Sequence, residues 1–173
     1  MSVERGRGRP RYRIVMAETD DWARVREIRL RALADSPNAF ASRLDHERHQ
    51  PESFWRHRLE EEGSATFLAI DGDSAIGLVS VFLMDDEPGT AHLVSMWVAP
   101  EHRRRGLGRR LVEAVLGWAR DQRAERVGLW VTESNEEARG LYRSTEFVET
   151  GDRQPLPSDL TLQELAMEWR LEP

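Results

Sequence analysis

The order of the segments predicts an α+β domain with a mixed sheet. Short apolar runs typical of strands and amphipathic stretches typical of helices follow one another as β-α-α-β-β-β-α-β-α-β-β. The turn Asp71-Gly72-Asp73 lies between two apolar runs and indicates an antiparallel hairpin. Residues 107–118 carry an apolar stripe at helical spacing, which predicts a helix packed against the sheet.

The first third of the chain is predicted to hold one strand and two helices. Residues 12–16 have the apolar and β-branched composition of a strand. A helix follows to about residue 35, because apolar side chains recur every three or four positions at Trp22, Val25, Ile28 and Ala32. After a loop around residues 38–40, Pro51 fits the first turn of a second, short helix that Gly63 ends.

The remaining elements follow from apolar runs and turn residues. A long helix begins near residue 107, and a short helix begins after Ser134 or Asn135, either of which can act as its N-cap. A polar loop is expected at residues 151–162, where Pro155 and Pro157 interrupt the chain. The further strands are expected at residues 65–70, 75–84, 93–98, 126–132, 147–150 and 164–171.

Composition excludes several classes of protein. The 173 residues suit one domain, expected over residues 12–173 behind a flexible basic tail at residues 1–11. The net charge of −6 argues against broad nucleic-acid binding, and no apolar run approaches the ~20 residues of a membrane span. With no Cys and no metal-ligand spacing of His, we expect no metal site, no nucleic-acid or membrane partner, and a cytoplasmic location.

The stretch from His92 to Gly108 has the features of a phosphate-binding site. An apolar strand ends at Pro100, three arginines follow, and Gly106 and Gly108 lie at the start of a helix. The first amides of a helix have no internal partner, and the helix dipole favours an anion there. The pattern G-x-G-x-x-G is missing, and a P-loop is excluded because all 25 basic residues are Arg. The arrangement predicts a site for a pyrophosphate.

Two motifs on these elements resemble those of the GCN5-related N-acetyltransferase (GNAT) superfamily. Arg103-x-x-Gly106-x-Gly108, after a strand ending Val98-Ala99-Pro100, is similar to the acetyl-CoA-binding signature of that family. The segment from Asn135 to Phe147, with Ala138 and Leu141-Tyr142, resembles the part that contacts coenzyme A. The resemblance, to the bacterial small-molecule type, covers roughly residues 12–171. It implies the GNAT fold, with a mostly antiparallel central sheet of about six to seven strands flanked by about four helices.

The resemblance also implies a donor, acetyl-CoA, and roles for single residues. Amides from about Arg104 to Arg109 would bind the pyrophosphate, and the Val98 N–H would lie near the acetyl oxygen as an oxyanion-type donor. Tyr142 is the implied general acid for the departing thiolate, although Leu141-Tyr142 also fits plain helix packing. The implied cofactor-binding residues are Met96, Trp97, Val98, Arg103, Arg104, Arg105, Gly106, Leu107, Gly108, Arg109, Asn135, Ala138 and Tyr142.

The general base is left open, because residues 93–99 contain no acid where some relatives have Glu. We expect the candidates outside that strand to be surface residues, and a water chain is a sufficient alternative. The candidates are Glu47, His46 and His49, then Asp85 or Asp86, and His92 or Ser95 acting through water.

The resemblance implies direct transfer to a primary amine of a small molecule. Alternatives are acetylation of a protein or peptide N-terminus or lysine, and a regulatory module that binds acetyl-CoA without turnover. Residues 29–40 resemble the substrate-side opening of small-molecule acetyltransferases, where Phe40, Phe54 and Trp55 are expected to form a closed pocket. The first two helices and the loop at residues 151–162 are expected to select the acceptor. Homodimers are common in the family.

Glu146 departs from the family pattern, which usually has Gly before Phe147. Glycine is favoured there because the residue after a helix often has a positive φ. We therefore predict a strained turn at Glu146 and an otherwise unchanged fold.

Overall fold

A computed structural model describes residues 12–171, so the predicted basic tail at residues 1–11 lies outside the described residues. Seven strands form one sheet in the order β1-β2-β3-β4-β5-β7-β6. Neighbouring strands are antiparallel except β4 and β5, which are parallel. The strands are β1 (Tyr12–Met16), β2 (Ser64–Asp71), β3 (Ser74–Leu83), β4 (Thr90–Val98), β5 (Arg126–Thr132), β6 (Val148–Leu156) and β7 (Asp159–Arg170).

Residues 12–171 also form five α-helices around this sheet, and the mixed α+β architecture is as predicted. The helices are α1 (Trp22–Asp35), α2 (Leu44–Glu47), α3 (Glu52–Glu60), α4 (Leu107–Asp121) and α5 (Glu136–Ser144). The short α2 lies in a stretch without a predicted element, since its four residues are too few to show a helical period. Among residues 12–171, no helix has both the length and the apolar character needed to cross a membrane.

The two faces of the sheet bury separate apolar clusters. The stripe of α4, including Leu111 and Val115, packs on one face against residues from both halves of the sheet, such as Val79 and Leu129. On the other face, α1 and α3 cover β2, β3 and the end of β4. Strand side chains alternate between the faces. The face of β5 and β7 that points away from α4 carries Thr132. The apolar cluster under α1 and α3 does not extend to this part of the sheet.

The strands β4 and β5 pair over only part of their lengths. Their register runs from Thr90 opposite Arg126 to His92 opposite Gly128 and goes no further. Past that point β4 bulges, because Ser80 pairs with Val94 while Leu78 pairs with Trp97. Ser95 within the bulge has a φ of 61°. The result is a split in the sheet between the C-terminal halves of β4 and β5.

The segment expected to be a polar loop at residues 151–162 is instead a hairpin. Strand β6 continues to Leu156, and β7 begins at Asp159. The prediction was wrong because β6 is the edge strand and is exposed over most of its length, so its residues need no apolar pattern. An edge strand also tolerates Pro155, which lacks the N–H of a ladder bond.

The strained turn predicted at Glu146 is confirmed. Glu146 follows α5 with a φ of 71°, a left-handed conformation that costs a non-glycine residue free energy. Its amide donates to the Arg143 carbonyl, and the Phe147 amide donates to the Tyr142 carbonyl, so the helix end is closed by backbone bonds.

Candidate active site

The N-terminus of α4 presents a row of free backbone amides. Arg103 N–H donates to the Pro100 carbonyl and Arg110 N–H donates to the Gly106 carbonyl. Between them, the amides of residues 104–109 donate to no acceptor within residues 12–171. Arg104 and Gly106 have φ values of 58° and 78°, and left-handed residues in such turns form anion-binding concavities. The predicted phosphate loop therefore has the required backbone shape.

The two glycines of this turn serve different purposes. A Cβ built on Gly106 would meet no atom within 4 Å, so the backbone is open to an incoming group. A Cβ on Gly108 would come within 3.0 Å of the Leu141 side chain. Gly108 therefore lets α5 approach α4 closely, which brings the second motif beside the first.

The exposed edge of β4 supplies further backbone groups. Ala99 N–H donates to the Ile76 carbonyl on β3. Because successive amides of a strand point in opposite directions, the N–H of Val98 and of Met96 face away from β3 and into the split. No residue of β5 is in register with this part of β4. The sequence expectation that Met96 and Val98 offer main-chain bonds here is consistent with this geometry.

These features line one cleft of about 460 Å³ between β4, α4 and α5. Every predicted cofactor-binding residue lines it except Arg105 and Tyr142. Arg105 is exposed, and its carbonyl accepts a hydrogen bond from the Tyr12 hydroxyl. The cleft is lined in addition by residues that were not predicted to bind the cofactor, namely Ser36, Ala39, Glu137, Leu141 and Ser144.

The arginines around the cleft are not equivalent. Arg103 Nε donates to the Val98 carbonyl at 2.9 Å, and its Nη2 lies 2.8 Å from the Asp35 carboxylate. Asp35 also accepts from Trp97 Nε1 at 3.0 Å. The pKa of Asp35 is lowered by the hydrogen bond from Ser36, by that from Trp97 and by Arg103. Arg103 is thus a bridge between α1 and β4.

Arg104 and Arg109 face the cleft with different freedom. Arg109 contacts Glu113 at 3.0 Å and the Ser144 carbonyl at 3.2 Å. Arg104 is exposed, and its guanidinium has no hydrogen-bond or ion-pair partner within residues 12–171. Arg104 is therefore the arginine of the cleft that can turn toward an anion without breaking a bond in this part of the chain.

Tyr142 is placed in the core. Its side chain is only 5% exposed, and its ring lies 5.7 Å from that of Phe147. Burial raises the pKa of the Tyr142 phenol well above its ordinary value, which keeps the hydroxyl protonated at neutral pH. Its neighbour Leu141 is the residue of this pair that lines the cleft. The predicted packing role is therefore present, and the predicted acid role requires the hydroxyl to be reached from the cleft side.

Asn135 has the helix-capping role that the sequence predicts as one of two alternatives. Its Oδ1 accepts a hydrogen bond from the Ala138 N–H at 3.1 Å at the start of α5. Both residues also line the cleft. The side-chain amide N–H₂ of Asn135 donates to no group within the described chain, so it can still bind a ligand.

On the other side of β4, a buried ion pair lies against the bulge. Arg29 of α1 forms two hydrogen bonds with Glu47 of α2, at 2.9 and 2.7 Å, and a third with Ser95 Oγ at 3.2 Å. Burial acts to raise the pKa of Glu47, but the hydrogen bonds and charge of Arg29 outweigh it and the pKa is lowered. The expectation that Glu47 is a surface residue was wrong, because it is 3% exposed.

The other base candidates lie away from the cleft. His92 is at the start of β4, where its ring packs 5.6 Å from that of Phe82 and burial lowers its pKa. The remaining candidates are exposed residues of α2, its flank, and the turn before β4: His46, His49, Asp85 and Asp86. The aromatic pocket expected from residues 29–40 and α3 is also not formed, since Phe40 and Trp55 are buried in the core.

The sequence is similar to those of known acetyltransferases over much of its length. Residues 14–147 match the family model described as "Acetyltransferase (GNAT) family". Human N-acetyltransferase 8 is 34% identical to this chain over 96 residues, which are 54% of this chain and 42% of the human chain. A putative [ribosomal protein bS18]-alanine N-acetyltransferase of Bacillus subtilis is 30% identical over 93 residues, 53% of this chain and 59% of its own. The chain thus spans about half the length of these curated relatives.

Solved structures share the fold at lower identity. A GNAT-family acetyltransferase from Streptococcus pneumoniae has a TM-score of 0.77 at 20% identity, covering 93% of this chain and 99% of its own. A putative acetyltransferase from Salmonella typhimurium, solved with its cofactor acetyl-CoA, has a TM-score of 0.75 at 20% identity, with 94% and 95% covered. At 20% identity, both similarities show a shared fold and nothing further.

Proposed function

The chain belongs to the acetyltransferase (GNAT) family, and from this membership we propose that it transfers the acetyl group of acetyl-CoA directly to the primary amine of a small molecule. The observation that carries the proposal is the cleft, where free amides of residues 104–109 meet the unpaired edge of β4. The amides suit a pyrophosphate, and the strand edge suits the amide groups of a pantetheine arm.

The residues of the cleft fit coenzyme A in chemistry and in size. The amides of residues 104–109 and the free guanidinium of Arg104 would hold the phosphates. Main-chain groups of Met96 and Val98 would bind the pantetheine, with Asn135 and Ala138 on its other side. A volume of about 460 Å³ lies within the range of cofactor sites.

Acetyl-CoA supplies an activated acetyl group when bound. The protein's own residues would polarise the acetyl carbonyl and protonate the departing sulfur. The Val98 N–H would donate to the acetyl carbonyl oxygen, an interaction that grows in strength as negative charge develops. As the amine nitrogen bonds to the acetyl carbon and the carbon–sulfur bond breaks, Tyr142, kept protonated by its burial, would give its proton to the departing sulfur. The proton that the nitrogen loses would pass to solvent water, from which Tyr142 would be protonated again. The chain has no Cys and so cannot form an acetyl-Cys intermediate, which favours the proposed direct transfer.

A small acceptor is favoured by a bridge over one end of the split. Ser158 Oγ in the β6–β7 turn donates to the Phe40 carbonyl at 2.5 Å, and Thr132 Oγ1 donates to the Asn38 carbonyl at 2.6 Å. The first bond joins the hairpin, and the second joins β5, to the segment of residues 36–40, and together they would narrow the approach from that side. A peptide N-terminus is the second candidate, because one relative is named as an acetyltransferase of a ribosomal-protein alanine.

The test is coenzyme A release from acetyl-CoA in the presence of pooled amines, with acetyl-CoA binding measured by calorimetry. Because the chain has no Cys, it adds no thiol background of its own. Release with one pool of small amines supports the proposal, and release only with peptides supports the second candidate. Binding without release from any pool would refute transfer, and the lack of binding would refute the assignment of the cleft.

A further inference from the structure

Glu164 of β7 is a buried carboxylate without a cationic partner. Its side chain is 6% exposed, and its one hydrogen bond within the described chain comes from Gln154 Nε2 at 3.1 Å. No Arg or His lies within ion-pair distance of it among residues 12–171. The other buried carboxylate, Glu47, has Arg29 and Arg58 beside it. Glu164 is therefore the buried acid whose charge the described protein leaves uncompensated.

Burying an unpaired carboxylate costs stability, so its presence needs a reason. Burial raises the pKa of Glu164, in agreement with its unpaired position. The carboxylate is nevertheless not sealed from solvent. Its oxygen Oε1 accepts no hydrogen bond in the described chain, yet it is not among the fully buried polar atoms that lack a partner. One oxygen is thus free to accept a donor that arrives from outside.

The position of Glu164 links it to the split. It pairs with Thr132, the last residue of β5, and it lies on the face of the sheet opposite α4 because its neighbour Leu165 packs in the core under α4. Thr132 lines a second cavity of about 340 Å³. That cavity shares Ser36, Ala39 and Asn135 with the cleft. Glu164 therefore lies on β7 directly opposite a residue that lines this second cavity, and the cavity adjoins the cleft at the free edge of β4.

An aromatic side chain lies near Glu164 on the same face. Trp130, two residues before Thr132 on β5, is half-buried and pairs with Ala166. Diagonal neighbours of this kind on adjacent antiparallel strands are separated by roughly 7–8 Å. A carboxylate and an aromatic face at this spacing suit a cation, because one supplies charge and the other a negative π-surface.

We infer that Glu164 binds the ammonium group of the acceptor, with Trp130 beside it, and so selects a cationic amine for transfer. The bound ammonium would lose one proton to solvent water before its nitrogen attacks the acetyl carbon. This inference rests on the proposed acetyl transfer and deepens it by naming the charge of the acceptor and the residue that recognises it. The bound ammonium supplies the counter-ion that the described protein does not provide, and Gln154 holds the carboxylate in place.

The test measures amine binding directly, apart from turnover. Calorimetry follows 2-phenylethylammonium, spermidine and trialanine with wild-type protein and with Glu164→Gln, each with and without coenzyme A. We expect the tightest of these probes to bind Glu164→Gln on the order of 10- to 100-fold more weakly, the effect of losing a hydrogen bond to a charged group. Uncharged 2-phenylethanol should bind both proteins equally.

Glu168→Gln is the matched control, since Glu168 lies on the same strand and face but has Arg170 at 2.5 Å. It should leave amine binding unchanged. Glu164→Gln should unfold at the same or a higher temperature than wild type, because it removes an unpaired buried charge. The inference is overturned if no probe binds the wild type, or if the tightest probe binds Glu164→Gln within twofold. Acetyl-CoA affinity of the wild type, measured separately, reports on the proposed function.

Discussion

Replacing Glu47 with Gln removes the charge that compensates Arg29 in the interior. Both side chains are buried, with exposures of 7% for Arg29 and 3% for Glu47. Gln is close in size and keeps one acceptor oxygen, so the change acts on charge rather than on packing. Arg29 would keep Phe40 and Ser95 as uncharged neighbours, and the charge of Arg58, which also loses its partner Glu47, would repel it.

Breaking a buried ion pair by removing one partner costs about 3 to 5 kcal/mol. For a domain of this size, each kcal/mol lowers the melting temperature by about 2 to 4 °C. Glu47→Gln should therefore melt roughly 6 to 20 °C below wild type. Asp21→Asn is the control, because the partly exposed Asp21–Arg24 pair at 3.1 Å is expected to contribute only about 0 to 1 kcal/mol, and Asn keeps an acceptor oxygen for the Glu18 N–H.

The assay is thermal unfolding followed by circular dichroism at several pH values. The folded pKa of Glu47 lies below its unfolded value, so its contribution is fully present above about pH 4.3 and is lost as the pH falls through the folded pKa. The gap between wild type and Glu47→Gln should therefore narrow in acid. A melting temperature within a degree of that of Asp21→Asn at neutral pH would refute the reasoning.

Three further changes test the cleft and its turns. Gly106→Ala should weaken acetyl-CoA binding in calorimetry, because it places a Cβ in the phosphate approach and strains a φ of 78°. Gly117→Ala, in mid-helix with free space around it, should instead stabilise the fold slightly and leave binding unchanged. Tyr142→Phe should lower kcat by ~10²–10⁴-fold while acetyl-CoA affinity stays constant, and an unchanged kcat would rule out the acid role. Glu146→Gly should raise the free energy of unfolding by about 1 kcal/mol in denaturant titration, because Gly accepts a positive φ. Glu137→Gly within α5 should lower that free energy by a similar amount. If both changes alter the free energy of unfolding equally and in the same direction, the backbone at Glu146 is not strained.

Elements that bury one regular apolar face were predictable from the sequence. Strand β5 has the predicted bounds, and α4 begins where its apolar stripe begins. The hairpin of β6 and β7 was not predictable in this way, since an edge strand exposed on both faces has no burial to impose an alternation. The backbone shape of the turn proposed to bind phosphate was predictable, because Gly106 and its neighbours largely determine that shape.

Residues whose role depends on distant partners were missed. Glu47 is buried because Arg29, 18 positions earlier, reaches it from another helix. Glu164 gives no signal in the sequence, because a polar residue near the start of a predicted strand is ordinary. Both became visible only once the topology placed β7 beside β5 and α2 beside α1.

The split between β4 and β5 also divides the sheet mechanically. Only three register pairs join the two strands, so hydrogen bonds contribute little to holding β1–β4 against β5–β7. The two parts of the sheet are held together mostly by the apolar contacts under α4, where residues of both parts pack together. Apolar contacts are non-directional and resist a small change of angle less than a ladder of hydrogen bonds does. We therefore expect the angle between β1–β4 and β5–β7 to change more easily than the angles within either part of the sheet. A ligand that bonds to both β4 and α5 would restrict this change.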